Sequence, residues 1–240
     1  MKNSLFIKQT HSTNVLLWEM LRNEQLPQGF VVHTDFQSAG KGQVGNSWES
    51  ETGKNLLFSM VLYPQQIPLD QLFLISQLVS LGIKKGLEKY ADEITVKWPN
   101  DIYWKDKKLS GILIENSLQG NKVKAIVIGI GLNVNQKTFV SDAPNPISLS
   151  QIIGKSINRK LVLKTICQSI LELYKELNAN KIREEYAESL YRKNGFHSYS
   201  TDNEAFEAKI ISVHPDGQME LETRAGERKN FYFKEVIFVL

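Results

Sequence analysis

Apolar and polar positions alternate along this chain in two different rhythms, and the first to appear is helical. Val15, Leu16, Trp18 and Leu21 follow Ser12-Thr13-Asn14, which predicts a capped helix ended by Pro27 and Gly29. Residues 30–34 are β-rich, and a polar, glycine-bearing loop then runs to Trp48. Residues 55–63 read as a strand closed by Pro64, and helical spacing returns over 69–90 through Leu72, Ile75, Leu78, Val79, Ile83 and Leu87. Four runs follow with short connections, at 94–98, 101–104, 109–115 and 123–133, and predict successive strands. Their order is that of hairpins rather than of alternating βαβ units. Residues 141–150 read as a loop with two prolines, and 161–177 and 182–190 as two amphipathic helices.

Beyond Asn194-Gly195 the texture changes. Short alternating runs at 205–213, 219–223 and 230–240 are separated by glycine-bearing turns, which predicts a small β-barrel. The pattern therefore predicts an α+β chain: a mixed, largely antiparallel sheet with flanking helices over residues 1–190, and a small barrel over 191–240.

Composition narrows the class without naming a chemistry. The 240 residues can bury a full core, and apolar content is an ordinary 42%, with no run as long as a membrane span. The opening MKNSLFIKQTHSTN has neither the apolar stretch nor the cleavage site of a secretory signal. Cys167 is the only cysteine, which excludes an internal disulfide and fits a reducing cytoplasm. A net charge of +3 without a dense basic tract gives no reason to expect nucleic acid. The expectation is a soluble cytoplasmic protein with no membrane partner and no DNA partner.

Gly40-Lys41-Gly42-Gln43-Val44-Gly45 fits G-x-G-x-x-G to the letter. A dinucleotide fold needs that loop to open a helix, so that the pyrophosphate rests on the helix N-terminus. Here Asn46-Ser47-Trp48-Glu49-Ser50-Glu51-Thr52-Gly53 follows, and then an alternating strand, so the context is wrong. What survives is a backbone free to approach a ligand closely. It reads either as a mobile surface loop or as a flap whose amides and Lys41 close over an anion, with Trp48 at its hinge.

Lys97, Lys108 and Asn133 each fall at or near the end of a predicted strand, and Gly129 and Gly131 remove side chains from one face beside Asn133. Taken singly, a lysine here reads as a solvated turn charge and the glycines as a bulge or close strand packing. Together with the flap they suggest a concave sheet face rimmed by polar groups.

These segments carry a resemblance. Ser12-Thr13-Asn14, the loop 37–48, Lys97-Trp98-Pro99-Asn100-Asp101, Lys108-Leu109-Ser110-Gly111-Ile112-Leu113-Ile114-Glu115 and the stretch 129–133 resemble, in order and spacing, the biotin protein ligases. The likeness covers nearly the whole chain, the terminal barrel included. It implies a class II synthetase-like catalytic domain with an SH3-like barrel, in a monofunctional member without the DNA-binding helix-turn-helix, acting as a monomer or homodimer. It also implies an ATP-dependent ligase with two half-reactions. Biotin and Mg-ATP give biotinyl-5′-AMP and pyrophosphate, and a lysine of a separate biotin carboxyl carrier domain then takes the biotinyl group and releases AMP.

The chemistry explains the residue types. Two anions about 4 Å apart repel by roughly 4 kcal/mol at an effective dielectric near 20. A lysine between carboxylate and α-phosphate removes that penalty, and the resemblance gives Lys108 this catalytic role, with Lys97 on the phosphate side. An incoming lysine with a pKa near about 10.4 needs a proton acceptor, for which Asp101 is the expectation, with Asn100 orienting the adenylate. The alternative for Asn100-Asp101 is an Asx-type turn after Pro99. By family position Ser12, Thr13, Asn14, Gln37, Gly40, Lys41 and Gly111 would surround biotin; Ser12 and Thr13 also read as a plain helix cap. Gln43, Trp48, Asn100, Lys108 and Asn133 would hold ATP or the adenylate, with Asn133 also near Mg2+.

One departure stands out. The family's flap usually carries arginines, where this chain has Lys41, Gln43, Val44 and Asn46. Lysine is a point charge rather than a bidentate fork, so weaker adenylate retention is expected. A lipoate-type ligase of the same fold and a non-catalytic biotin or nucleotide sensor are the two alternatives.

Overall fold

A computed structural model describes residues 3–43, 45–140 and 145–239. In chain order the elements are β1 Ser4–Thr10, α1 Thr13–Asn23, β2 Val31–Gln37, β3 Leu56–Leu62, a 3-10 turn Leu69–Gln71, α2 Phe73–Leu87, β4 Ile94–Lys97, β5 Asp101–Trp104, β6 Lys107–Gln119, β7 Lys122–Leu132, α3 Leu149–Ile153, α4 Arg159–Glu176 and α5 Ala179–Glu188. The terminal region adds β8 His197–Ser200, β9 Ala205–Val213, β10 Met219–Thr223, β11 Arg228–Phe231 and β12 Ile237–Phe238.

Seven strands form one sheet in the order β1-β2-β3-β7-β6-β5-β4. Only β1 and β2 run parallel, and every other pairing is antiparallel. Helix α2 packs between the sheet and α4 and α5, and almost all its residues are buried, including Gln77 and Ser80. On the opposite sheet face α1 packs against β2, β3 and β7, which leaves the part over β6 and β5 to build a site.

A β-bulge decides where Lys108 points. Asp101 pairs with Gly111 and Ile102 with Ser110, but Tyr103 pairs with Lys108, so the register slips past Leu109. Strand side chains alternate in direction, and the extra residue turns Lys108 onto the face that carries Asp101 and Tyr103. Leu109 turns into the core, where it is fully buried. The backbone of Lys108 is pinned on its other edge, its N–H donating to Asn145 O at 3.0 Å and its carbonyl accepting from Ile147 N at 2.9 Å.

The terminal strands form a five-stranded antiparallel sheet in the order β11-β10-β9-β8-β12. Among the described residues no ladder joins β11 to β12, so the sheet is open rather than a closed barrel. Its Tyr199, Met219, Leu221 and Phe238 belong to the same buried cluster as the core of the large sheet. Trp98 Nε1 donates to Gly217 O at 2.9 Å across the junction.

Candidate functional site

The open part of the sheet face holds a cavity of about 160 Å³. Strand pairing brings Ser59, Gly129 and Leu113 into one row across its floor, and Leu57, Gly131, Gly111 and Asp101 into the next. Residues 12–14 at the start of helix α1 line one end, residues 41–43 and 46–48 of the glycine loop line the top, and the β4–β5 junction forms the other end.

At the α1 end the polar groups are prearranged. Ser12 sits at the N-cap with extended backbone, φ −156° and ψ 135°, yet its side chain makes no capping bond. The hydroxyl is buried at the cavity instead of serving the helix, which separates the two sequence readings of Ser12. Thr13 donates to Gln37 Oε1 from its backbone N–H at 2.8 Å, with its hydroxyl 3.0 Å from the same oxygen. Asn14 presses its carboxamide against the backbone of Gly129, where an added Cβ would stand 2.4 Å from Asn14 Oδ1.

The opposite end is ionic. Lys108 Nζ lies 2.7 Å from Asp101 Oδ2, with both side chains about three-quarters buried. Lys97 pairs across the β4–β5 hairpin with Asp101. Its ammonium sits 5.1 Å from the centroids of both the Tyr103 and Phe238 rings. Burial lowers the Lys97 pKa, Asp101 opposes that shift, and Lys108 and Arg192 add to it. Asn100 is buried and donates through Nδ2 to the carbonyl of Ile112, whose N–H returns to Asn100 O at 3.2 Å. Asn100 is thus a clamp between the β5 entrance and β6, not an Asx turn. The Trp98–Pro99 peptide just before it is cis.

The glycine loop folds back on itself. Gly42 N donates to Asn46 O, Asn46 N to Gln43 O and Trp48 N to Gly40 O, all between 2.8 and 3.0 Å. Its end carries Trp48, whose indole packs against Gly111 and Gly131. An added Cβ would stand 2.9 Å from Cζ3 at Gly111 and 2.4 Å from Cε2 at Gly131. The indole N–H is buried without a partner, an unmet donor at the cavity, and Lys108 Nζ is 5.9 Å from the ring centroid.

Of the residues expected from sequence, Ser12, Thr13, Asn14, Gln37, Lys41, Gln43, Trp48, Lys97, Asn100, Asp101, Lys108 and Gly111 all line this one cavity. Gly40 and Asn133 do not. Gly40 sits behind the loop, its carbonyl bonded to Trp48 N, and Asn133 is buried two residues past Gly131, its N–H donating to Leu109 O at 3.0 Å. Val44 lies outside the described residues. Phe233, from the terminal sheet, also lines the cavity and was not foreseen; no sequence signal joins it to a site more than a hundred residues upstream. Ser59, beneath Thr13 and Asn14, was likewise missed, although its polar character inside the apolar run 56–62 was a visible irregularity. Among the described residues no group of three or more His, Cys, Asp or Glu is placed to hold a metal, and no helix is long and apolar enough to cross a membrane.

Comparison with known proteins converges on one family. Residues 6–133 match the model of the biotin/lipoate A/B protein ligase family. The bifunctional ligase/repressor BirA of Bacillus subtilis is 32% identical over 222 residues, spanning 87% of this chain and 66% of that protein. Its Escherichia coli namesake is 32% identical over 171 residues, 69% of this chain and 52% of that protein, so this chain spans one half to two thirds of these relatives. The structure of the biotin protein ligase from Aquifex aeolicus with biotin and ATP superposes with a TM-score of 0.79 at 25% identity, covering 100% of both chains. With more than half its length matched by the family model, and the matched half carrying the cavity floor and both of its ends, this chain belongs to the biotin/lipoate A/B protein ligase family.

Proposed function

We propose that this chain is an ATP-dependent biotin protein ligase acting through an acyl-adenylate. The observation that carries the reading is the Lys108–Asp101 pair, held in one cavity opposite the hydrogen-bonding end built by Ser12, Thr13 and Gln37. A neutral, hydrogen-bonding ring fits the α1 end, and a carboxylate tail would reach the lysine.

In the first half-reaction a carboxylate oxygen of biotin attacks the α-phosphorus, and the bond to the leaving pyrophosphate breaks. Lys108 neutralises the two anions as they meet, with Lys97 on the phosphate side. Trp48, with its unmet N–H, packs along the adenylate under the closed loop. Magnesium would arrive with ATP and neutralise its phosphates, keeping most of its water, which suits a chain without a carboxylate cage among its described residues. Asn133 lies outside the cavity lining, so a contact with ATP or its metal requires nucleotide extending past Gly131.

In the second half-reaction the amine of an acceptor lysine attacks the acyl carbon, AMP leaves, and the amine proton passes to Asp101. Asp101 is paired with Lys108 in the free protein, so it becomes an available base once Lys108 has turned to the ligand. The acceptor is a biotin carboxyl carrier domain supplied in trans. We assign residues 1–190 to the biotin and ATP chemistry and 191–240 to an appended sheet, with no DNA partner, in a cytoplasmic monomer or homodimer.

Pyrophosphate exchange into ATP, with biotin or lipoate added separately, tests this. Exchange that depends on biotin supports the reading. Exchange that depends on lipoate overturns the substrate and keeps the chemistry. Biotin binding without exchange overturns the enzyme.

A further inference from the structure

The wall behind the α1 end contains a proton-counting problem. Thr13 Oγ1 to Gln37 Oε1 is 3.0 Å, Ser59 Oγ to Thr13 Oγ1 is 2.7 Å, and Ser59 Oγ to Asn14 Oδ1 is 2.6 Å. These are three close oxygen–oxygen contacts with two hydroxyl protons to share. A carboxamide oxygen has none to give, so the Ser59 proton must lie toward Asn14. The Thr13 proton then serves the shorter of its two contacts, that to Ser59. Gln37 Oε1 is already satisfied by the Thr13 backbone N–H. The chain runs one way, from Thr13 to Ser59 to Asn14, so the one direction at the Thr13 oxygen left open beside Ser59 and Gln37 carries a lone pair and no proton.

What fixes the direction is the orientation of the Asn14 amide, and one group outside the cavity lining sets it. Asn14 Nδ2 donates to Glu115 Oε2 at 2.8 Å, and Trp18 Nε1 donates to the same oxygen at 3.3 Å. A carboxylate only accepts, so a flipped Asn14 would set Oδ1 against Glu115 and turn its NH2 to Ser59. The Ser59 proton would then swing to Thr13, and the Thr13 proton, no longer held by Ser59, would be free to turn to Gln37 or toward the ligand, where it would meet a ligand N–H as a second donor.

We propose that Glu115, acting through Asn14 and Ser59, is a positioning residue that makes Thr13 a pure acceptor for a ligand N–H and so sets the specificity of this end for a cyclic urea. The inference rests on the biotin reading above. Glu115 does not line the cavity and reaches it only through Asn14; its effect passes along the chain, and it should therefore act on recognition of the ring and leave the nucleotide alone.

The test compares wild type, Glu115→Gln and Glu115→Leu by biotin-dependent pyrophosphate exchange and by calorimetric titration with biotin and with biotin alkylated on a ureido nitrogen. Glu115→Gln keeps an acceptor oxygen for Asn14, and Glu115→Leu does not. The expected result for Glu115→Leu is a rise of about tenfold in the KM for biotin, with the KM for ATP within about twofold and a shrunken preference for biotin over the alkylated analogue. Glu115→Gln should restore most of the loss. Equal rises in both KM values, an unchanged biotin KM, or an undiminished preference over the analogue in Glu115→Leu would overturn the inference. Should Glu115→Leu not fold, a Glu115→Gln enzyme as impaired toward biotin as toward ATP overturns it as well. A wild-type protein that binds no biotin overturns the biotin reading itself, and that outcome is read before any variant is compared.

Discussion

Placing a methyl group at Gly131 should damage nucleotide binding without unfolding the protein. The added Cβ would stand 2.4 Å from Trp48 Cε2 and 2.7 Å from both Cδ2 and Nε1, about 1 Å inside ordinary contact. Gly131 lies on β7, held on both sides by β3 and β6, so the strand cannot retreat. Its backbone is not among those with positive φ, so alanine brings no backbone strain. The indole must move, and it belongs to a half-exposed loop tied by the bond from Trp48 N to Gly40 O. Overpacking of this kind costs about 1–3 kcal/mol. If it falls on the closed loop, the KM for ATP rises about 5- to 150-fold. Loss of glycine freedom in the unfolded chain returns about 0.4–1 kcal/mol, so the melting temperature should stay within about 4 °C. Gly129→Ala makes the contrast, because its Cβ would stand 2.4 Å from Asn14 Oδ1 and should raise the KM for biotin instead. Exchange kinetics with each substrate varied in turn, alongside a thermal melt, decide the matter. A Gly131→Ala enzyme with an unaltered ATP KM would refute the argument that Trp48 shapes the nucleotide side.

Lys108→Ala should cut exchange by about 10²–10³-fold, because the proposed chemistry puts its charge where the carboxylate and α-phosphate meet, while calorimetric titration should show biotin still bound. Asp101→Asn should leave adenylate formation within about threefold and slow transfer to the carrier by about 10²-fold, as loss of a general base does; equal losses in both steps would sink the assignment. The lowered Lys97 pKa means that its charge is lost at a pH below that of a free lysine. The folded state binds fewer protons there, so the cost of the buried ammonium fades as pH rises toward the unfolded value of about 10.4. Stability linked to Lys97 therefore rises with pH in that window while exchange falls; Lys97→Arg, which cannot lose its proton, should shift the alkaline limb of exchange upward. Burial pushes the Cys167 thiol up to about 12, so the native protein should resist a disulfide-exchange reagent that reacts at once after unfolding.

The sequence was most legible where a side-chain rhythm met a buried face. Residues 55–63 and 123–133 became β3 and β7, whose inner residues carry the core, and α2 kept its helical spacing because almost every position is buried. Reading failed where exposure breaks the alternation. Strand β1 sits at the sheet edge with Phe6 turned outward at 52% exposure, so no pattern marked it. Helix α3 hid behind the prolines, although Ser148 and Gln151 form a reciprocal capping box that the letters S-x-x-Q announce. At the candidate site, the sequence named residues that the fold gathers around one cavity, but not their directions. That Lys108 faces Asp101 depends on a bulge past Leu109, and that Ser12 serves the cavity rather than α1 depends on its rotamer. Phe233 and Phe238 reach the site only because the two sheets share a core, a contact that no local pattern encodes.

On the proposed chemistry, the pairing of Lys108 with Asp101 would also order the two half-reactions. One cation cannot fully neutralise three anions, and in the free protein Asp101 claims it at 2.7 Å. A biotin carboxylate and an α-phosphate together offer more negative charge than one aspartate, and at an effective dielectric near 20 each additional unit charge at 4 Å is worth roughly 4 kcal/mol. Lys108 should therefore move to the ligand when both substrates are present, and to a lesser degree with biotin alone. Forming the mixed anhydride consumes the carboxylate charge, yet the phosphate of the adenylate remains, so Lys108 stays with the ligand and Asp101 is left as an unpaired carboxylate at the cavity where the acceptor amine must enter. That amine arrives as an ammonium, and an unpaired carboxylate both attracts it and raises the fraction of encounters that end in proton transfer. With no adenylate bound, Asp101 returns to Lys108 and offers the ammonium a neutralised pair. The enzyme would then recruit its carrier most strongly when there is biotin to transfer, and Lys108→Met, which leaves Asp101 unpaired at all times, should bind an unbiotinylated carrier about equally well with and without biotin and ATP, where the wild type should gain affinity on adding both.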